Sequence, residues 1–283
     1  MNPTGSQAFQ ITNTSGDIIR GDVHLPEMME NAPVVILCHG FKGFKDWGFF
    51  PVAAERLAQE GWCAIRFNFS HNGIGEDFFD YTDPDRFAQN TLSKELADLD
   101  CVITALCNRE FLPTEIDVRK LALIGHSRGG GIAAIQAASD ARVKSVALWA
   151  AVATFDRWGE ATKRMWREHG SISVLTSRSL QRMRIDLSLL DDYERHRDRL
   201  DIETAVRRLS KPLLIVHGEQ DVTVSAKEAH RLYAASNASI TEIEIIPHTD
   251  HAFGITHPYG GMTPAFGKVL QRTLFWLRVN TKP

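Results

Sequence analysis

Apolar residues follow two patterns along the chain. One is a short continuous run bounded by turn residues, which fits a strand covered on both faces. Such runs fall at 33–38, 62–67, 121–124, 145–150, 212–216 and 242–246. The other is apolar spacing at the helical period. It covers 49–59, where Gly61 stops it, and 86–110, where Phe87, Leu92, Leu96, Leu99, Val102, Ile103 and Leu106 share a face. A Gly/Ala-rich helix is predicted at 129–138, another passes through His230 and Leu232, and the last ends near Leu277. Residues 7–25 read as two strands about a Ser15-Gly16-Asp17 turn.

Strands alternating with helices predict an α/β fold with a mainly parallel sheet, helices on both faces and right-handed crossovers. Residues 155–210 break the rhythm, being rich in Arg, Asp and Glu with no buried strand run. They read as a helical cap insertion into a core made of 1–154 and 211–283. Asp191, Asp192 and Glu194 are interleaved with the cap's arginines, which fits a mixed-charge solvated face.

Composition narrows the function classes. The 283 residues are 43% hydrophobic and 24% charged, as in an ordinary soluble globule. A formal net charge of −3 gives no attraction to nucleic acid or to an anionic membrane. No apolar run approaches the ~20 residues of a membrane span. The sequence from Met1 to Ser6 lacks the basic and apolar regions of a secretory signal. Cys38, Cys63, Cys101 and Cys107 show no metal-binding spacing, so they read as reduced, mostly buried thiols of a cytoplasmic protein. No cofactor or metal is expected, and a homodimer stays open.

Ligands of parallel sheets bind beyond the carboxyl ends of the strands, so chemistry is sought just after each run. Gly125-His126-Ser127-Arg128-Gly129 follows the run at 121–124 and fits G-x-S-x-G. Small residues at 125 and 129 allow a sharp strand-to-helix turn that pushes the Ser127 hydroxyl outward, towards the N-terminal end of the next helix. His39-Gly40-Phe41 follows the run at 33–38, and the backbone N–H groups of Phe41 and Arg128 are the expected oxyanion donors. Taken alone, His39-Gly40 reads equally as a tight turn with a satisfied core histidine. Lys42 and Lys45 read as solvated loop charges. Asp221, just past the run at 212–216, is the expected acid, with Glu219 as its nearest competitor. His251 is the expected base, with His248 and His257 as alternatives on the same loop. The order Ser, then Asp, then His matches the one expected when a serine nucleophile sits on such a strand-to-helix turn.

These residues resemble the α/β-hydrolase superfamily. The segments starting at His39, Gly125, His217 and Asp250 stand where that family carries its motifs, and the resemblance covers nearly all of the chain outside 155–210. More narrowly, Arg66-Phe67-Asn68-Phe69-Ser70-His71-Asn72-Gly73 is similar to a stretch in bacterial cinnamoyl and feruloyl esterase-like members, a branch that includes dienelactone-hydrolase-like proteins. Dienelactone hydrolases proper use a cysteine nucleophile, whereas position 127 is serine. The resemblance implies a capped serine esterase that acts on a small-molecule ester through an acyl-enzyme. A peptidase or thioesterase with the same three residues, or a noncatalytic ligand-binding member, stands as the alternative. Phe155 and Trp158, past the run at 145–150, are placed to contact an acyl or aromatic group, or to pack cap on core. The Arg128 side chain is placed either to recognise a carboxylate or to lock the cap through a salt bridge.

Overall fold

The computed structural model describes residues 6–75, 81–175 and 181–281. An eight-stranded sheet runs through the centre. Its strands are β1 (Ser6–Thr12), β2 (Ile18–His24), β3 (Pro33–Cys38), β4 (Cys63–Asn68), β5 (Asp117–His126), β6 (Val143–Trp149), β9 (Leu213–Gly218) and β10 (Thr241–Ile246). Their order is β1-β2-β4-β3-β5-β6-β9-β10. The pairs β1–β2 and β2–β4 are antiparallel; all other pairs are parallel.

Side chains of the central strands alternate between two cores, as the two-residue period requires. On β3, Val34, Ile36 and Cys38 enter one core, while Val35 and Leu37 enter the other. The second core is closed by α1 (Phe50–Gln59) and α9 (Pro264–Asn280), through Phe50, Leu57, Phe266 and Trp276. The first is closed by α3 (Leu92–Cys107), α4 (Arg128–Ser139) and α8 (Ala226–Ala235).

The periodicity at 86–110 is split. A short α2 (Pro84–Ala88) precedes α3, and the break falls at residues whose side chains compete for backbone groups. Asp83 caps α2 by accepting from Arg86 N, and Thr91 caps α3 by accepting from Lys94 N. Apolar spacing runs across such a break unchanged, so it does not reveal it.

Between β6 and β9 lie α5 (Glu160–His169), β7 (Ser171–Leu175), β8 (Arg182–Asp186), α6 (Ser188–Arg195) and α7 (Ile202–Arg208). The expectation of a purely helical insertion at 155–210 is therefore corrected: β7 and β8 form an antiparallel two-stranded sheet. Residues 176–180 of this stretch lie outside the described ones. Met183 and Ile185 are buried between Arg182, Arg184 and Asp186, a half-buried alternation too short to make a continuous apolar run. The segment is tied to the rest by Arg184–Asp85 (3.0 Å), by Ser93 N donating to Asp192 (2.9 Å), and by packing of α7 on α4. Among the described residues, no helix is long and apolar enough to cross a membrane.

Candidate active site

The turn between β5 and α4 fixes Ser127. Its φ and ψ are 56° and −122°, a positive φ outside the favoured regions for a side-chain-bearing residue. Conformations of this kind cost of order 1–3 kcal/mol and persist only where their surroundings determine them. Here Ser127 N donates to Trp149 O at 2.9 Å, and Ser127 O accepts from Gly130 N (3.0 Å) and Val152 N (3.2 Å). The flanking glycines are required sterically. A Cβ on Gly125 would stand 2.3 Å from Gly129 O, and one on Gly129 would stand 2.3 Å from His39 O. The same closeness brings the loop after β3 onto the turn, since a Cβ on Gly40 would lie 2.8 Å from Ser127 Cβ. Arg128 is the first residue of α4, so its N–H has no partner inside the helix. Phe41 belongs to the adjoining loop and lines the same cavity as Ser127.

His39 is a satisfied interior histidine. Phe69 N donates to its Nε2 at 3.2 Å, which puts the proton on Nδ1, 3.0 Å from Gly40 O. Burial, and secondarily Arg128, push its pKa down to about 4. The ring is therefore a neutral strut beneath the Gly40–Phe41 loop.

Asp221 and His251 meet at the ends of β9 and β10. His251 Nδ1 stands 2.7 Å from Asp221 Oδ2. Burial would raise the Asp221 pKa, but hydrogen bonds from His217 and His251, the nearby imidazole and the Val224 N–H together hold it well below the usual carboxylate range. The carboxylate is thus ionised and can only accept, so the proton of this contact sits on His251 Nδ1. Asp221 Oδ1 accepts from Thr223 N (2.9 Å) and Val224 N (2.8 Å). Gly218 lets the two loops close, since a Cβ there would come within 2.4 Å of Asp250 O.

The alternatives are placed elsewhere. Glu219 accepts from His248 N, and the His248 side chain is 85% exposed. His257 accepts from Gly48 N and stacks on Trp47.

Two histidines of this site carried no distinctive sequence signal. Fully buried His217 directs Nε2–H at Val224 O (2.8 Å) and Asp221 Oδ2 (3.2 Å), while among the described residues its Nδ1 has no hydrogen-bond partner. A histidine at the end of an apolar strand looks the same whether it orients a carboxylate or only fills space. His126 donates from Nε2 to His251 O at 3.0 Å, with its ring 4.7 Å from that of His251. Burial first, then the His251 charge, push its pKa down to about 3. Kept neutral, it does not oppose protonation of its neighbour.

Ser127 and His251 open into one cavity of about 600 Å³, a size suited to a small organic ligand. Phe155 and Trp158 line it, as do Phe41, Leu92 and Val152. Phe155 is also buried against α4, where a Cβ on Gly131 would meet its ring at 2.9 Å. Trp158 packs edge-on against buried Trp166 at 5.0 Å. Among the described residues, Ser127 Oγ makes no hydrogen bond to His251. Such contacts are often long in an empty site and tighten when substrate arrives.

Of the two roles open to the Arg128 side chain, a salt bridge to the insertion is not formed among the described residues: its Nη1 stands 3.4 Å from Glu95 Oε1 on α3. Two lysines depart from expectation. Lys45 is not a solvated loop charge, but is buried and bonded to Asp22 and Asp46, each at 2.7 Å. Lys42 is partly buried, lines the cavity, and donates to Leu175 O on β7 at 3.1 Å. The cysteines are free thiols: Cys38 and Cys63 are buried, Cys101 and Cys107 only partly so. Burial pushes the Cys63 thiol up to about 12.

A strand–turn–helix serine at a positive φ and an Asp–His pair past the last two parallel strands, β9 and β10, define the site of a doubly covered α/β sheet. The model of the alpha/beta hydrolase family matches residues 35–262, and the chain belongs to that family. Solved structures share the fold at low sequence identity. The alpha/beta hydrolase GrgF from Penicillium sp. sh18 superposes with a TM-score of 0.74 at 17% identity, over 98% of this chain and 99% of that one. Est1E from Butyrivibrio proteoclasticus gives a TM-score of 0.67 at 17% identity, over 96% and 99%. The esterase domain of a Rhodothermus marinus protein gives 0.66 at 19% identity, over 99% and 100%. No curated protein sequence matches the chain.

Proposed function

We propose that the protein is a serine carboxylesterase acting on small-molecule esters of acyl or aromatic acids. The observation that carries this is the 2.7 Å His251–Asp221 contact at the wall of the cavity that also holds Ser127. His251 Nε2 takes the hydroxyl proton as Ser127 Oγ adds to the ester carbonyl. The oxyanion is met by the Phe41 and Arg128 N–H groups and by the positive end of α4. Collapse breaks the C–O bond, and the departing alcohol takes the proton back from His251. Water then adds to the acyl-enzyme, with its proton passing to His251 and on to Ser127. Asp221 holds the imidazole in the competent tautomer, and Phe155 and Trp158 flank the apolar part of the cavity.

The chemistry of the neighbours supports the ester reading: one structural relative is described as an esterase domain, and Est1E has been solved with ferulic acid bound. The test is hydrolysis of a panel of p-nitrophenyl esters beside aminoacyl anilides, with labelling of Ser127 by a fluorophosphonate. Ester turnover and labelling should both vanish in Ser127→Ala. Ester turnover that survives this substitution, or anilides cleaved in preference to esters, would overturn the proposal.

A further inference from the structure

The cavity wall carries unbalanced positive charge although the whole chain is net acidic. Four charged residues line it besides the imidazole pair: Lys42, Arg128, Arg157 and Asp250. Two are already satisfied. Arg157 is paired with Glu228 (2.8 Å and 3.0 Å) and donates to Thr223 O (3.1 Å). Asp250 turns its carboxylate to the N–H groups of Ala252 and Gly254 in its own loop.

Lys42 and Arg128 are not balanced in this way. The Arg128 guanidinium lies 4.0 Å from the centroid of the Phe41 ring, and Lys42 Nζ lies 5.8 Å from the same centroid. Among the described residues, the only hydrogen-bond partner of Lys42 Nζ is the Leu175 carbonyl, and no carboxylate pairs with it. Arg128 is 8% exposed, and among the described residues only its Nη1 makes a side-chain hydrogen bond. That contact of 3.4 Å is long for a charge-assisted bond, which typically falls near ~2.7–2.9 Å. The acid it meets is a weak counter-ion. Glu95 is buried, its Oε1 is shared with Asn90 Nδ2 at 2.7 Å, and among the described residues its Oε2 has no hydrogen-bond partner. Burial pushes the Glu95 pKa up, and burial together with Arg128 pushes that of Lys42 down. Two cations against one incomplete anion, at the wall of a cavity, form a site that an incoming anion would complete.

We propose that the substrate ester carries a carboxylate, bound by the Arg128 guanidinium and the Lys42 ammonium beside the Phe41 ring. This rests on the esterase reading and specifies its substrate class. Arg128 follows Ser127 directly, so the anion sits within one arginine side chain of the reacting carbonyl. The linker between carboxylate and ester is short and apolar, and lies against Phe41, Val152 and Phe155. Arginine supplies directional donors and lysine a point charge, a combination that favours a carboxylate over a neutral polar group.

The experiment compares p-nitrophenyl hexanoate with the mono-p-nitrophenyl ester of adipic acid, and phenyl hexanoate with p-carboxyphenyl hexanoate. The first pair places the carboxylate on the acyl side and the second on the alcohol side. In at least one pair, kcat/KM for the anionic ester should exceed that of the neutral one by about tenfold, and added salt should shrink the ratio. Lys42→Met and Arg128→Met should each lower the ratio about tenfold, with Arg128→Lys in between. Ratios near one in both pairs, unmoved by these substitutions, would overturn the carboxylate assignment while leaving the esterase reading intact. A second readout does not depend on turnover. Calorimetric titration of Ser127→Ala should show monomethyl adipate binding more tightly than methyl hexanoate, and adding Lys42→Met should remove the difference. Equal binding of the two esters would overturn the inference whether or not any ester is cleaved.

Discussion

Asp221 is the most heavily engaged side chain of the site. Two backbone N–H groups hold Oδ1, while the Nε2–H of His217 and the Nδ1–H of His251 converge on Oδ2. Asn in its place would keep the shape but remove the charge, and would set an amide N–H against one of these donors. Asp221→Asn should therefore lower kcat on a simple ester by about 10³–10⁴-fold, with melting temperature changed far less than activity. A variant within tenfold of the parent in steady-state assays would remove Asp221 from its role. The position of Asp221 past an apolar strand was legible in the sequence. His217 was not, because its neighbours in sequence are those of any core histidine. Its meaning comes from the chain turning back at Gly218, which places Val224 O and Asp221 Oδ2 at one nitrogen.

At the scale of elements, the strand–turn–helix unit β5–α4 carries the site through backbone proximity. Gly129 touches the end of β3 so closely that a methyl group there would require β3 and α4 to separate. Gly129→Ala should cost about 1–3 kcal/mol of stability by overpacking. It should also depress kcat beyond what the stability loss explains, since the Gly40–Phe41 loop moves with β3. Urea unfolding beside a kcat measurement reads both; unchanged values would show that the two elements have slack. The main strands were readable because each is buried on both faces and leaves a continuous apolar run. The β7–β8 pair was not, because it is covered on one face only. Ile172 and Val174, then Met183 and Ile185, alternate with polar residues across two strands too short for that pattern to stand out. The division of α2 from α3 was hidden for a related reason. Helical spacing continues through Asn90 and Thr91, while the Thr91 side chain, accepting from Lys94 N, starts α3 as a separate helix.

At the scale of the whole molecule, burial of neutral histidines ties stability to pH. His39 and His126 are enclosed, and their pKa values are pushed down to about 4 and about 3. In the unfolded chain each titrates near ~6.5. A folded value below the unfolded one means that the unfolded chain binds more protons, so acid favours unfolding. The stabilisation is complete above about pH 6.5 and is lost progressively as pH falls towards the folded values. Each histidine contributes a slope of up to about 1.4 kcal/mol per pH unit within that window. Depression of the Asp221 pKa acts in the same direction, but only below the carboxylate range near ~3.9, so the two effects separate on the pH axis. Unfolding free energies measured in urea from pH 7.5 down to 4.5 should therefore fall below about pH 6.5. His126→Gln preserves a donor towards His251 O and removes one titrating group. Its curve should be shallower than the parent's by close to one proton's worth of slope, and superimposable slopes would show that His126 is already protonated in the folded protein. A neutral His126 also bears on catalysis. In the proposed reaction, a charged ring 4.7 Å from His251 would oppose the imidazolium formed as Ser127 loses its proton.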